Sequence, residues 1–123
     1  MIRYRTVRLN AIAKLTVEGT LDFEGSRELL LQIATDASTR GQNLLVDLRK
    51  AKGPLSYPDV HRLTEVLSEY PEVFTGRIAL LDLYDQELEK AQFFEFSAGE
   101  RGYQVRTFLD EDRAVEWLER KTG

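Results

Sequence analysis

Two apolar rhythms alternate along the chain. "AIAKLTVEG" (11–19) changes side at every residue, with Ala11, Ala13, Leu15 and Val17 facing one way and Ile12, Lys14, Thr16 and Glu18 the mostly polar other way. That is the period of a half-buried strand. "RYRTVRL" (3–9) precedes it with only Asn10 between, so the spacing predicts a tight antiparallel hairpin. "FEGSRELLLQIATDAST" (23–39) then repeats at helical spacing, with Leu29, Leu30, Ile33, Ala34 and Ala37 in one stripe and Gly41 as the stop.

"NLLVDLR" (43–49) and "RIALLDL" (77–83) are short, nearly continuous apolar runs, as expected of strands covered on both faces of a central parallel sheet. Each leads into a helical pattern. The first is "PDVHRLTEVLSEY" (58–70), with Val60, Leu63, Leu67 and Tyr70 in register; the second is "DQELEKAQFFEFSAGERG" (85–102), ended by Gly99 and Gly102. A last strand, "YQVRTFL" (103–109), precedes "DEDRAVEWLERK" (110–121). There Asp110 caps the helix, Ala114, Trp117 and Leu118 face inward, and Arg120 with Lys121 complement the dipole at the far end.

The predicted class is therefore α/β, a mixed central sheet of about five strands with four helices in the order β-β-α-β-α-β-α-β-α, formed by residues 1–123 as one domain. At about 1.5 to 3 kcal/mol for each fully buried large apolar side chain, Leu44, Val46, Ile78, Leu80 and Val105 are where stability concentrates. A chain of this length buries about two thirds of its unfolded surface, enough for one core.

Composition narrows the function classes. The net charge of −4 opposes a phosphate backbone unless bases gather on one face. Arg3 and Arg5 share one face of the first strand and Arg8 takes the other, which favours a charged edge over a nucleic-acid groove. With no cysteine there are no disulfides, thiolate nucleophiles or zinc-thiolate sites. No apolar run reaches the roughly 20 residues of a membrane span, and no signal-peptide core opens the chain, so a cytoplasmic protein is expected.

The candidate chemistry lies in "AKGPLSYPDVH" (51–61). Ser56 and Asp59 have the spacing of a capping box, and Pro58 falls in the first turn, where its missing N–H costs nothing. His61, the only histidine, sits five residues on along the same helix, too far to serve Ser56 as a base, so no nucleophile-base pair is expected and the protein is read as a non-enzyme. Asp82, Asp85 and Glu87 are the nearest thing to a metal cluster, but acids at a strand end usually serve as solvated loop and cap residues; no metal or other cofactor is expected. Asp47 and Asp82, near the ends of buried strands, are accounted for by hydrogen bonds to the adjoining loops. In "AQFFEFSAG" (91–99) the three phenylalanines cannot share one side of a helix; with Phe94 inward beside Leu88 and Ala91, Phe93 or Phe96 is left near the surface.

Three segments, "LLVDLRKAKGPLSYPDV", "GRIALLD" and "VRTFLDEDRAVEWL", resemble the STAS domain and, more closely, its SpoIIAA-like relatives within the STAS/CRAL-TRIO-like group. The resemblance runs from Leu15 to Leu118. It implies a regulatory module of the anti-sigma-factor antagonist kind, in which a serine opening the helix after the third strand is phosphorylated by a partner anti-sigma kinase. Ser56 stands at that place, in "LSYP" where the family's stretch is of an Asp-Ser-Ser-Gly type. On this reading Ser56, Tyr57, Asp59 and His61 face a protein partner, anti-sigma or kinase-like, and Phe93 and Phe96 form a second, hydrophobic surface for a homodimer partner or an acyl ligand. The alternative it implies is a carrier of a lipid-like ligand in a cavity between sheet and helices.

Overall fold

A computed structural model describes residues 2–85 and 87–120. The elements follow the predicted order: β1 (Ile2–Leu9), β2 (Ile12–Thr20), α1 (Phe23–Thr35), β3 (Asn43–Lys52), α2 (Tyr57–Glu69), β4 (Ile78–Leu81), α3 (Leu88–Glu100), β5 (Val105–Phe108) and α4 (Glu111–Glu119). The strands lie side by side in chain order, β1 antiparallel to β2 and the rest parallel. Asn10, at φ 56°, turns the hairpin in a left-handed conformation that asparagine tolerates better than most residues.

The strand order dictates where the helices go. Each parallel crossover advances by one strand in the same direction, and right-handed crossovers with a common direction place their helices on a common face. α1, α2 and α3 accordingly pack over Leu15, Val17, Leu44, Val46, Ile78, Leu80 and Val105, the larger core. α4 follows the last strand, has no crossover to make, and covers the other face over Ile12, Leu45, Ala79 and Leu81.

That second layer corrects the expected polar face of β2. Ile12 is 1% exposed, in the cluster formed with Ala114 and Leu118, while Ala11 lies exposed in the hairpin turn. Trp117 packs partly buried in the same cluster, its ring 5.7 Å from that of Phe108. The face of β1 that carries Arg3 and Arg5, opposite Glu18 and Thr16, lies beyond it.

Helix ends differ from the periodicity at α1 and α4, while Gly102 closes α3 as the sequence predicts. α1 stops at Thr35 because Asp36 and Thr39 bind the chain back: the Thr39 hydroxyl donates to the Ile33 carbonyl at 2.8 Å, and Asp36 Oδ1 accepts the Ser38 N–H and hydroxyl. Thr39 is thereby the buried residue, and Ala37 is exposed. α3 ends in a Schellman motif, with the Tyr103 N–H on Ala98 O, the Gly102 N–H on Gly99 O, and Gly102 at φ 90°. α4 has no basic residue in its last turn; Arg120 is its C-cap, and Lys121 lies outside the described residues. No described helix is long and apolar enough to cross a membrane.

Candidate functional site at the start of the second helix

The end of β3 is held against the β2–α1 loop. The Leu21 N–H donates to Lys52 O at 2.8 Å, and Gly53 lies so close that an added Cβ would fall 2.0 Å from Leu21 O. Only glycine fits there. From this anchor the chain runs through buried Leu55, which shares the core with Val60 as a hydrophobic staple, and enters α2. The Ser56 hydroxyl accepts the Asp59 N–H at 3.1 Å and Asp59 Oδ2 accepts the Ser56 N–H at 3.3 Å, a complete capping box, with Pro58 in the first turn. Ser56 is exposed.

Tyr57 points from this cap to α3. Its hydroxyl donates to Glu89 Oε2 at 3.1 Å, and its ring stands nearly perpendicular to that of Phe93, with centroids 5.2 Å apart. The hydrogen bond to Glu89 holds the phenol proton and raises the Tyr57 pKa, with burial and the Glu89 charge adding to it. Phe93 therefore joins the Ser56 region and is half-buried; Phe96, one turn further along α3, is 63% exposed. Phe94 packs inward in the same core as Ala91, while Leu88 is buried outside that cluster.

His61 does not join Ser56. Its Nε2 lies 3.9 Å from Glu65 Oε1, one turn forward along the helix and away from the cap. Asp59 also pairs with Arg62 at 3.7 Å, and the Arg62 guanidinium covers the Phe23 ring at 4.1 Å. The histidine is thus a separate exposed group on α2.

The β4–α3 loop adds what sequence reasoning missed. Lys52 pairs with Asp85 at 3.5 Å, which sets this loop beside the approach to α2. Leu83 (42%) and Tyr84 (86%) project from it into solvent. A signal was available in "LDLYDQ", where two large apolar residues continue past the point at which the strand turns into acids.

Asp82 corrects the solvated-acid expectation, since it is only 5% exposed. Burial pushes its carboxyl up to about 6, reinforced by the charges of Asp85, Glu87 and Asp47 and opposed by the Leu83 N–H, 2.8 Å from Oδ1. Asp85 instead accepts the Glu87 N–H at 2.9 Å, and Glu87 lies 3.9 Å from Lys90. Among the described residues no group of three or more acids or histidines is arranged to hold a metal ion.

On the opposite face Asp47 is bound by Arg49 through Nε at 3.0 Å and Nη2 at 2.8 Å. Arg49 Nη2 also reaches Glu111 Oε1 at 3.2 Å, and Lys14 Nζ donates to both Glu111 oxygens at 3.0 and 3.1 Å. Burial would raise the Asp47 pKa, but the Arg49 hydrogen bonds and the Arg49 and Lys14 charges outweigh it and hold the carboxyl below its ordinary value.

No family model matches the chain, and no curated protein matches it in sequence. Solved structures do resemble it. An anti-sigma factor antagonist from Mycobacterium paratuberculosis superposes with a TM-score of 0.66 at 12% identity, over 98% of this chain and 96% of that one. An uncharacterized protein of the DUF3478 family from Shewanella loihica PV-4, with a SpoIIAA-like fold, gives 0.60 at 18% identity over 95% and 93%. The anti-sigma factor antagonist SpoIIAA in its unphosphorylated form gives 0.57 at 14% identity over 98% and 100%. At these identities the likeness is one of architecture, and on it the chain has the SpoIIAA-like α/β fold of STAS domains.

Proposed function

We propose that the protein is a non-enzymatic regulatory module that binds a protein partner through the start of α2 and the adjoining β4–α3 loop. The observation that carries this reading is the exposed apolar group Tyr57, Leu83 and Tyr84, set beside the Ser56 cap by two loops that the Lys52–Asp85 pair ties together. Large rings with polar tips are favoured contact residues, and acids at the margin, Asp59, Asp85 and Glu89, suit a partner carrying basic groups. Two of the structural neighbours are anti-sigma factor antagonists, proteins named for binding regulators, which supports the same class at the level of the fold. The hydroxyl of Ser56 is engaged by its own helix and His61 turns to Glu65, an arrangement that offers no activated nucleophile.

Ser56 is exposed and stands at a helix N-terminus, so a phosphoryl group there would meet free backbone N–H groups while adding negative charge to the partner surface. The test is a native mass spectrum of protein gently isolated from its own cells, followed by binding measurements on the identified partner. Expected are a defined heteromeric mass and at least about tenfold weaker binding on Tyr84→Ser combined with Tyr57→Ser. Unchanged binding by that double variant, or bare homodimer alone, would overturn the reading. The lipid-carrier alternative finds little room: the cavity beneath the helices measures about 110 Å³, well below the roughly 300 Å³ at which pockets for larger ligands begin.

A further inference from the structure

The cavity between the sheet and α1 to α3 is walled mainly by leucines, including Leu29, Leu63 and Leu80, with Ala91. Two buried polar groups nonetheless line it. Ser26, in the first turns of α1, is 7% exposed and its Oγ has no hydrogen-bond partner among the described residues. Asp82, which follows β4, is 5% exposed, accepts the Leu83 N–H, and forms no ion pair among the described residues. Both elements meet the cavity at the end of the sheet where the parallel strands finish, the usual location of ligand sites in open α/β sheets.

The surrounding charges are paired off. Asp85 has Lys52 at 3.5 Å, Glu87 has Lys90 at 3.9 Å, and Asp47 has Arg49 at 2.8 Å. Asp82 forms no ion pair among the described residues, since Lys90, which also lines the cavity, is paired with Glu87. With a pKa of about 6 it is mostly ionised at neutral pH, a buried anion that the fold leaves uncompensated. The partly exposed Glu87 and Lys90 stand at the cavity's rim.

We infer that this cavity is a binding site for a small primary ammonium compound with a short aliphatic body, its ammonium donating to the Asp82 carboxylate and to Ser26 Oγ. An ammonium group brings three donors and the missing positive charge. The alkyl part lies among the leucines, and the volume of about 110 Å³ holds it to a few carbons. A carboxylate ligand would face Asp82 with like charge, and a neutral alcohol would leave that charge unpaired. The inference does not rest on the partner-binding reading, although Asp82 adjoins Leu83 of that surface.

The experiment titrates the folded full chain, labelled at its methyl groups and amides, with n-butylammonium chloride and follows the resonances by NMR. Expected are saturable shifts at the Leu80 and Ala91 methyls and at the Leu83 amide, which donates to Asp82, with a Kd of about 1 mM. Butyrate and 1-butanol should bind at least about tenfold more weakly, and Asp82→Asn should weaken the amine by at least about tenfold. Ala91→Met fills the space and should abolish the shifts, while Asp82→Asn, which removes a buried charge, keeps the fold intact. Absence of saturable shifts, equal binding of 1-butanol, or an undiminished response in Asp82→Asn would each overturn the proposal.

Discussion

Asp47, midway along β3 and opposite Leu81, and Asp82, the residue that follows β4, lie on the paths of neighbouring parallel strands, and both are about 5% exposed. They titrate in opposite directions. Asp47 faces α4, where Arg49 and, through Glu111, Lys14 complete a network of alternating charge. Asp82 faces the three-helix side, where the surroundings are leucines and further acids. The same side chain at nearly the same depth is stabilised as an anion on one face and penalised on the other, so burial alone does not decide a carboxylate's state.

The largest effect expected from breaking this contrast comes from Asp82→Asn. The folded-state value is raised from 3.8 to about 6, worth about 3 kcal/mol between the two protonation states. Because the folded protein binds the extra proton, this group's stability contribution is complete below pH 3.8 and is lost as pH rises to about 6. Urea unfolding of Asp82→Asn at pH 7 should therefore show a gain approaching about 3 kcal/mol, and the decline between those pH values should vanish. A variant no more stable than the parent at pH 7 would mean that Asp82 has a compensating partner.

Arg49→Met probes the other face. It leaves Asp47 buried beside an apolar chain; since Arg49 is itself partly exposed, we expect a loss of about 2 kcal/mol at pH 7, below the full penalty of a broken buried pair. The sign is opposite to that for Asp82. A lowered folded pKa gives stability present above the unfolded value and lost as pH falls through the folded one, so the parent and Arg49→Met should converge in acid. Parallel stability curves across the acid range would instead assign the loss to packing.

The smallest effect serves as the reference. Ser56→Ala removes the cap of α2 but touches neither aspartate, and should cost about 1 kcal/mol with no change in the pH profile. A pH-dependent difference that persists in Asp59→Asn would show that the cap is electrically coupled to one of the two acids.

Much of this architecture was legible in residue periodicity. The alternation in 11–19 and the continuous runs at 43–49 and 77–83 announced β2, β3 and β4, and the Ser56-x-x-Asp59 spacing announced a capping box, because each depends on neighbours within a few residues. Ile12 was misplaced because a strand's own pattern does not show which helix will cover its second face. Part of the candidate site was equally hidden. Tyr57 with Glu89 and Lys52 with Asp85 are separated by more than 30 residues, and no local rhythm links them.

What the sequence determined by itself was therefore the order of elements, the central parallel strands and the start of α2, all consequences of short-range backbone geometry. Only the tertiary structure decided which aspartate received an arginine, which serine remained unpaired in the core, and which aromatics were left in solvent. Those outcomes depend on strand register and on the face each helix takes, and electrostatic fate follows the neighbours that this long-range arrangement supplies.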